Sequence, residues 1–331
     1  MKKILLLTLC YFSVNLAYSQ SDKQLTHYMF DKMSFNPGAT GYKGYCGTFV
    51  GREQWVATDN APRTFLLNLE GNLQKLNSGV GLSMYSDAIG FGRELDLKLS
   101  YAQHIYFPRA GVLSPGIAVG LTNMSFVPEW LAPDTWDDPS LDPDLPVGSG
   151  ATSLDVNFGL FWRGSGNKYW VGLSATHLTQ PFLEAVNFEK ARHYYVTGGV
   201  NVDYSMLPIA SDLTLKPSFL VIADGVTTSF DFSLIGDYNL NAYQNIYAGL
   251  TYRRKDALAI LIGFGHSVSD DSGTYGTLQG VPDRWTLGYS YDITTSSINN
   301  YSRGSHELMF KYCMFPPDPS KARHGNPFIL Q

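Results

Sequence analysis

The sequence is poor in charge and in cysteine, and it contains no long apolar run. Only 16% of its 331 residues are charged, and three are cysteine. After the first twenty residues, no stretch supplies the roughly eighteen consecutive apolar residues that a transmembrane helix requires. If this chain lies in a membrane, it does not do so as a set of helices.

Motifs for catalysis and nucleotide binding are missing as well. The sequence has no H-E-x-x-H, no P-loop, no G-x-S-x-G and no paired cysteine motif, and its seven histidines are scattered. We therefore predict that the protein is not an enzyme and binds no cofactor. A hydrolase in particular is disfavoured, because the nucleophile motif is absent.

The first nineteen residues predict a secretory signal peptide. Lys2 and Lys3 precede an apolar run over residues 4–12, and the small-residue pattern at 17–19 follows. Because the run is too short to cross a bilayer as a helix, we predict cleavage before Gln20.

The predicted mature chain is acidic and rich in aromatic residues and glycine. Removing Lys2 and Lys3 from 24 basic residues leaves 22 against 29 acidic ones, a net charge of about -7. This balance argues against nucleic acid as a partner. The 21 tyrosines, 19 phenylalanines and 32 glycines are typical of a protein that meets lipid and headgroups.

Apolar and polar residues alternate with a period of two from residue 45 almost to the end of the chain, which indicates β-strands. Between residues 94 and 107 one face carries Leu95, Leu97, Leu99, Tyr101, Ile105 and Phe107, and the other Glu94, Asp96, Lys98, Ser100, Ala102 and His104. The predicted strands are 45–56, 63–72, 78–86, 93–107, 113–125, 152–163, 168–177, 193–206, 212–222, 229–240, 245–254, 257–268, 283–293 and 305–315.

The composition of the two faces separates a membrane barrel from a soluble β-sandwich, which also alternates. The second face is mostly Gly, Ser, Thr and Asn with scattered charge, as expected of a lumen. Aromatic residues gather near strand ends, as in interfacial girdles. Lipid offers no hydrogen-bond partners, so the sheet must close on itself. We predict an all-β fold, a closed antiparallel transmembrane β-barrel of about fourteen strands, of the outer-membrane type.

The barrel prediction divides the mature chain into three parts. Residues 20–44 are expected along the periplasmic rim or inside the lumen, 45–315 form the barrel, and 316–331 form a periplasmic tail. The longest connections, 126–151 and 178–192, fall on one side, which is then the cell surface, and both termini are expected in the periplasm.

One surface loop is strongly acidic. It holds Asp134, Asp137, Asp138, Asp142 and Asp144, no Lys or Arg, and five prolines. Clustered carboxylates suit calcium, but the glycine and terminal glutamate of an EF-hand loop are missing. A solvated, stiffened extracellular loop is the simpler interpretation, so these residues are a calcium candidate only and we assign no metal site.

Two cysteines remain after processing, and closure of the barrel brings them together. If the first and last strands pair, Cys46 and Cys313 lie at the same rim of the seam, and both are predicted to face inward. We predict a disulfide if the register brings the Cβ atoms within about 4 Å. Two unpaired thiols are the alternative.

Several segments resemble one protein family. FNPGATG (35–41) is similar to the FNPAYAG-like motif of PorP/SprF-type proteins, and REQWVATDNAPRT (52–64) resembles their R-x-Q-W-x-x-x-x-x-A-P-x-T signature. Later blocks, such as KYWVGLSATHLTQP (168–181), follow in the same order. The residues that carry the two motifs are Asn36, Pro37, Gly41, Arg52, Gln54, Trp55, Ala61, Pro62 and Thr64.

The resemblance implies a non-enzymatic, integral outer-membrane component of type IX secretion and gliding in Bacteroidota. It implies a secreted adhesin or its C-terminal domain as a partner at the cell surface, and periplasmic or peptidoglycan-associated secretion components at the inner face. Outer-membrane lipid surrounds the barrel. The alternative is a porin or small-solute channel, in which Asp96, Lys98, Asp203 and Lys216 line the pore.

Overall fold

The computed structural model describes residues 22–128, 148–183, 188–203, 211–268 and 283–314. Its strands are β1 (Tyr45–Glu53), β2 (Arg63–Leu73), β3 (Ser78–Ile89), β4 (Gly92–Gln103), β5 (Ile105–Phe107), β6 (Gly111–Phe126), β7 (Ser149–Gly164), β8 (Tyr169–Thr176), β9 (Phe182–Leu183), β10 (Phe188–Glu189), β11 (His193–Val200), β12 (Leu213–Ala223), β13 (Thr228–Asn239), β14 (Gln244–Arg253), β15 (Ala257–Val268), β16 (Asp283–Thr294) and β17 (Ser305–Met314). The helices are short 3-10 turns at Pro37–Ala39, Gln74–Leu76, Ser165–Asn167 and Ser297–Asn300. Over the described ranges, none has the length and hydropathy to cross a bilayer.

Fourteen barrel strands close into one antiparallel ring. β5 continues β4 after a break, and β9 and β10 form a separate two-stranded sheet, so the seventeen strands make fourteen in the barrel. Neighbours along the chain pair with each other, β4 pairs with β6, and β1 pairs with β17. The predicted closed barrel is confirmed, and closure gives every barrel strand two neighbours, as lipid requires.

The two ends of the barrel differ in their connections. We call the end where β1 begins and β17 ends the terminal end, and the opposite one the loop end. The longest connections at the loop end are 127–148 and 177–192. At the terminal end four connections have three or four residues, whereas 201–212 and 269–282 are longer. The connection 201–212 is longer than predicted because β11 ends at Val200.

Along the barrel wall, apolar side chains that point outward alternate with polar side chains that point inward, as the sequence predicts. Along β4, Leu97 and Leu99 are 47% and 68% exposed on the outside, while Lys98 is 4% exposed on the inside. Exposed aromatic side chains lie near both ends of the strands, as expected at the two membrane interfaces. They include Tyr45, Tyr106, Phe107, Tyr169 and Tyr238 near the terminal end, and Phe91, Phe126, Tyr194 and Tyr252 near the loop end.

The interior contains an apolar cluster as well as the polar face that the sequence predicts. Leu25, Tyr28 and Phe35 come from the N-terminal segment, and they pack against apolar side chains of the wall. The wall residues of this cluster are Val50, Leu66, Tyr85, Tyr195, Leu220, Ile222 and Met309. Burying each large apolar side chain contributes about 1.5–3 kcal/mol, so this packing holds the segment inside the lumen.

A disulfide crosses the seam between the first and last strands. Cys46 lies opposite Cys313 in the register of β1 and β17, with their Cα atoms 4.1 Å apart and their Sγ atoms bonded. Both side chains are buried on the inside of the barrel. In the structure, the ring is therefore closed by a covalent bond at the terminal end as well as by hydrogen bonds.

Candidate functional site

Residues 22–44, which we call the plug, run through the lumen from the loop end to the terminal end. Asp22 lies beside Thr176, where β8 reaches the loop end, with 3.4 Å between Oδ2 and Oγ1. Thr40 packs against the backbone of Gly79, at the terminal end. The segment thus fills the lumen and does not line the rim. The first described residue, Asp22, lies near the loop end and the last, Met314, lies near the terminal end, because the plug spans the barrel.

Arg52, on β1, ties the plug to the seam. Its guanidinium lies 2.7 Å from Asp292 and 3.1 Å from Glu307, and it donates a hydrogen bond of 3.0 Å to Thr26. Glu307 also accepts the backbone N–H groups of Thr26 and His27, at 2.9 and 2.8 Å. Guanidinium and carboxylate groups make strong, directional hydrogen bonds, so this cluster fixes the plug on β1, β16 and β17.

A second buried arginine extends the cluster across the wall. Arg253, on β14, lies 3.0 Å from Asp231 and 3.2 Å from Asp292, and its side chain is 2% exposed. Asp292 therefore bridges two arginines. Charges removed from water are tolerated when they are paired and hydrogen-bonded, and removing one partner costs about 3–5 kcal/mol.

The N-P-G turn seats the plug against the wall near the terminal end. Asn36 caps the 3-10 turn, its Oδ1 accepting the N–H of Gly38 at 2.8 Å. Its Nδ2 donates to the carbonyl oxygens of Leu160 and Leu173, at 2.9 and 3.2 Å. One side chain thus holds the turn and attaches it to β7 and β8.

The wall and the plug approach closely at glycines. A Cβ atom on Gly116 of β6 would lie 2.5 Å from the carbonyl carbon of Pro37 and from the nitrogen of Gly38. Gly41 has a φ of +70°, which favours glycine, and its N–H donates to Glu70 at 2.8 Å. These positions require glycine for the plug to fit.

The pKa values of two plug side chains indicate that water is excluded from their surroundings. Burial, reinforced by the positive charge of Lys311, lowers the pKa of Lys32 to about 7. Burial also raises the pKa of Tyr28 to about 12. The Lys32 ammonium donates to the carbonyl of Met29 at 2.6 Å and lies 4.4 Å above the ring of Trp170. Loss of water around ionisable groups disfavours their charged forms, which accounts for both directions.

The remainder of the second motif lies at the loop end. The N–H of Gln54 donates to the carbonyl of Pro62 at 2.9 Å, which closes the loop that contains Ala61. Thr64, at the start of β2, donates from its hydroxyl to Asp87 at 2.5 Å. These residues order the loop between β1 and β2.

Two loop-end connections join into one surface, which we call the rim platform (54–62 and 295–304). The N–H of Val56 donates to the carbonyl of Gly304, and the N–H of Arg303 donates to the carbonyl of Val56, both at 2.8 Å. The connection 54–62 also contains three residues with left-handed backbone conformation, namely Trp55 (φ 51°), Ala57 (φ 74°) and Asn60 (φ 54°). Such backbone persists only where its surroundings hold it.

A family model described as "Type IX secretion system membrane protein PorP/SprF" matches residues 17–312. The chain belongs to the PorP/SprF family. Among solved structures it is similar to the CymD monoaromatic hydrocarbon channel, at 12% identity and a TM-score of 0.51, over 86% of this chain and 92% of that one. It is similar to the Ralstonia pickettii toluene transporter TbuX, at 12% identity and a TM-score of 0.50, over 86% and 93%. No curated protein matches significantly.

Fold and family together place this PorP/SprF protein in the outer membrane and give it a secretion-related role. The predicted family and the predicted barrel are both confirmed. The two solved structures support only the fold, because their sequences are too distant to transfer a substrate. Family and fold are of non-enzymatic types.

The family motifs do not form one site in this PorP/SprF barrel. Asn36, Pro37 and Gly41 lie toward the terminal end, Arg52 lies in the buried ion cluster, and the remaining motif residues lie at the loop-end rim. All of them except Thr64 belong to the plug, contact it or lie in the rim platform. The calcium candidates Asp134, Asp137, Asp138, Asp142 and Asp144 lie outside the described residues.

The partners of Arg52 were missed by sequence reasoning. Thr26, Asp292 and Glu307 are separated from it along the chain by 26, 240 and 255 residues. A signal did exist, because Asp292 and Glu307 occupy inward positions of strands that cross a membrane. Charges at such positions require partners or water.

Proposed function

We propose that this protein is an accessory, anchoring barrel of type IX secretion, which binds a secreted adhesin or its C-terminal domain and couples it to periplasmic components. The observation that carries the proposal is the filled lumen. A plug held by buried ion pairs and apolar packing makes the barrel a rigid support, and rigid supports position loops for binding.

The rim platform is the proposed adhesin-binding surface. Its loops are joined by backbone hydrogen bonds, so binding requires little additional ordering. Tyr301 stands on this platform with 76% of its surface exposed. Exposed tyrosine and tryptophan residues are frequent hot spots of protein interfaces.

We further propose that the loop end faces the cell surface. The longest connections, 127–148 and 177–192, lie at that end, and outer-membrane barrels carry their long loops outside. The terminal end then faces the periplasm. Residues 316–331, which follow β17 and lie outside the described residues, are the proposed contact for periplasmic secretion components.

The polar contacts of the lumen argue against the alternative of a small-solute channel. Lys98 lies 3.2 Å from Asp96 and 2.6 Å from Asp155, and Lys216 pairs with Asp237. Each of these two lysines is therefore paired with a carboxylate of the barrel wall and is not left unpaired to attract a solute. Asp203 lies beyond the end of β11, in the connection at the terminal end.

The partner-binding proposal is tested by affinity purification from native membranes with mass spectrometry of retained proteins. We expect Tyr301→Ala to lower the recovery of a secreted partner about tenfold, equivalent to about 1.4 kcal/mol. Tyr243→Ala is the matched control, because this tyrosine is 42% exposed at the terminal end. Equal recovery with both variants would contradict the assignment of the platform.

The coupling proposal is tested by deleting residues 316–331. We expect the deletion variant to keep the secreted partner and to lose co-purifying periplasmic components. An unchanged set of periplasmic proteins would refute a role of the tail in coupling while leaving the surface proposal intact.

A further inference from the structure

Three buried residues converge at the loop end from distant parts of the chain. Asp22 comes from the plug, while His177 and His193 flank the connection between β8 and β11. One potential ligand atom from each lies within 4.8 Å of the other two. Their exposures are 8%, 0% and 3%, so the group is shielded from bulk solvent.

Each histidine ring is oriented by a hydrogen-bond acceptor that faces its Nδ1. Nδ1 of His177 lies 2.7 Å from Oδ2 of Asp155, and Nδ1 of His193 lies 3.0 Å from the carbonyl oxygen of Ala191. With Nδ1 as the donor, the electron pair of the His177 ring lies on Nε2. Metal-binding histidines are held in this way by a carboxylate or a backbone carbonyl.

Nε2 of His177 is buried and has no hydrogen bond in the structure. It faces Oδ2 of Asp22 at 3.4 Å. The same Asp22 oxygen already accepts the hydroxyl of Tyr195. Two electron-pair donors facing each other in a dry site repel unless a proton or a metal ion lies between them.

The charges around the group leave room for an added cation. Within the described residues the carboxylates of this cluster are those of Asp22, Asp87, Glu94, Asp96 and Asp155, and the ammonium groups are those of Lys23, Lys98 and Lys190. Five carboxylates against three ammonium groups leave a net charge of -2 when all are ionised and the histidines are neutral. A buried surplus of negative charge favours binding of a cation.

We propose that Asp22, His177 and His193 bind one Zn²⁺ or a similar divalent transition metal. Two imidazoles and one carboxylate are a ligand set of zinc sites, whereas calcium prefers oxygen ligands alone. Ligand atoms around tetrahedral zinc lie about 3.3 Å apart, given bonds of about 2.0–2.1 Å. Binding therefore draws the three side chains together.

The metal would clamp the plug to the wall at the base of the connection 177–192. One ligand belongs to the plug, and the other two mark the beginning and the end of that connection. The site would thus fix a loop-end segment and hold the start of the plug in the lumen. This inference stands independently of the partner that the rim platform binds.

The test measures zinc in the purified full-length protein, after chelator treatment, reloading with ZnSO4 and removal of excess metal. We expect about one zinc per wild-type chain by mass spectrometry of the metal, and loss of that zinc in His177→Ala and His193→Ala. His104→Ala is the control, because His104 is buried beside Ser114 near the terminal end, away from the group. It should keep the zinc.

The variant Asp155→Asn distinguishes a metal site from a pair of protonated histidines. It keeps the three ligands but weakens the orientation of His177, so zinc affinity by titration calorimetry should fall about 10–100-fold. Zinc should also raise the unfolding temperature of the wild type, but not that of His193→Ala. Wild-type protein that takes up no more zinc than folded His193→Ala would overturn the proposal, and so would equal loss in His104→Ala.

Discussion

At the scale of single residues, the buried charges explain why a membrane barrel carries arginines inside. Arg52 and Arg253 share Asp292, and Arg52 also holds Glu307, which in turn holds the plug backbone. Each charge has a partner within the described structure, so the desolvation that accompanies burial is compensated.

Replacing Arg52 by methionine should destabilise the protein by about 3–5 kcal/mol, because Asp292 and Glu307 lose a buried partner. Arg63→Met is the matched control. Arg63 pairs with Glu53 on the same strand pair, but the two side chains are 67% and 50% exposed, so the loss should be about 0–1 kcal/mol. Both losses of unfolding free energy are measured by urea unfolding in detergent. The folded fraction is read from gels, on which the folded barrel and the heat-unfolded chain migrate differently. Equal losses would contradict the role given to Arg52.

The pairing of the two cysteines could be predicted from sequence, whereas the contact between Arg52 and the plug could not. Cys46 and Cys313 could be placed opposite each other, because closure of a barrel fixes which strands form the seam. Arg52 could be predicted only to face inward. Its contact with Thr26 depends on the path of the plug, and the plug has no strand periodicity from which a path could be inferred.

The disulfide is predicted to be present in the mature protein. Mass spectrometry under non-reducing conditions should recover a peptide that links Cys46 and Cys313. The double variant Cys46→Ser, Cys313→Ser should lose on the order of 2–4 kcal/mol of stability, the usual contribution of a disulfide that closes a long loop. Two free thiols in the native protein would contradict the pairing.

At the scale of elements, the plug is the feature that distinguishes this barrel from an empty cylinder. It is anchored by ion pairs toward the loop end, by apolar packing in the middle and by the N-P-G turn toward the terminal end. Three different interactions along one segment make its release a cooperative event.

Gly116→Ala should displace the N-P-G turn, because the added Cβ would lie 2.5 Å from backbone atoms of Pro37 and Gly38. Hydrogen exchange of the amides of residues 28–39 should become faster while the barrel amides remain protected. Gly47→Ala is the control, since its Cβ would meet only the Leu69 side chain, at 3.4 Å. Unchanged exchange in Gly116→Ala would show that the turn is not seated as described.

The elements of the wall were predictable, and the element inside it was not. The fourteen predicted strands match the observed ones to within a few residues, except where β11 ends at Val200. Alternation is imposed on every strand by lipid on one side and the lumen on the other. The plug meets no lipid, so nothing in its sequence marks whether it lies inside or along the rim.

At the scale of the whole molecule, the seam, the plug and the rim platform describe a closed and filled support. The lumen of a fourteen-stranded barrel is wider than wall side chains alone can fill, and here residues 22–44 occupy it. A secretion component that anchors a partner needs a fixed rim, whereas a solute channel needs an open path.

Conductance in planar lipid bilayers tests the filled lumen most directly. Purified wild-type protein should give no stable stepwise current, whereas a variant without residues 22–36, with its barrel still folded and its Cys46–Cys313 bond intact, should open a steady pore. Stable conductance of the wild-type protein at the level of the deletion variant would contradict the account.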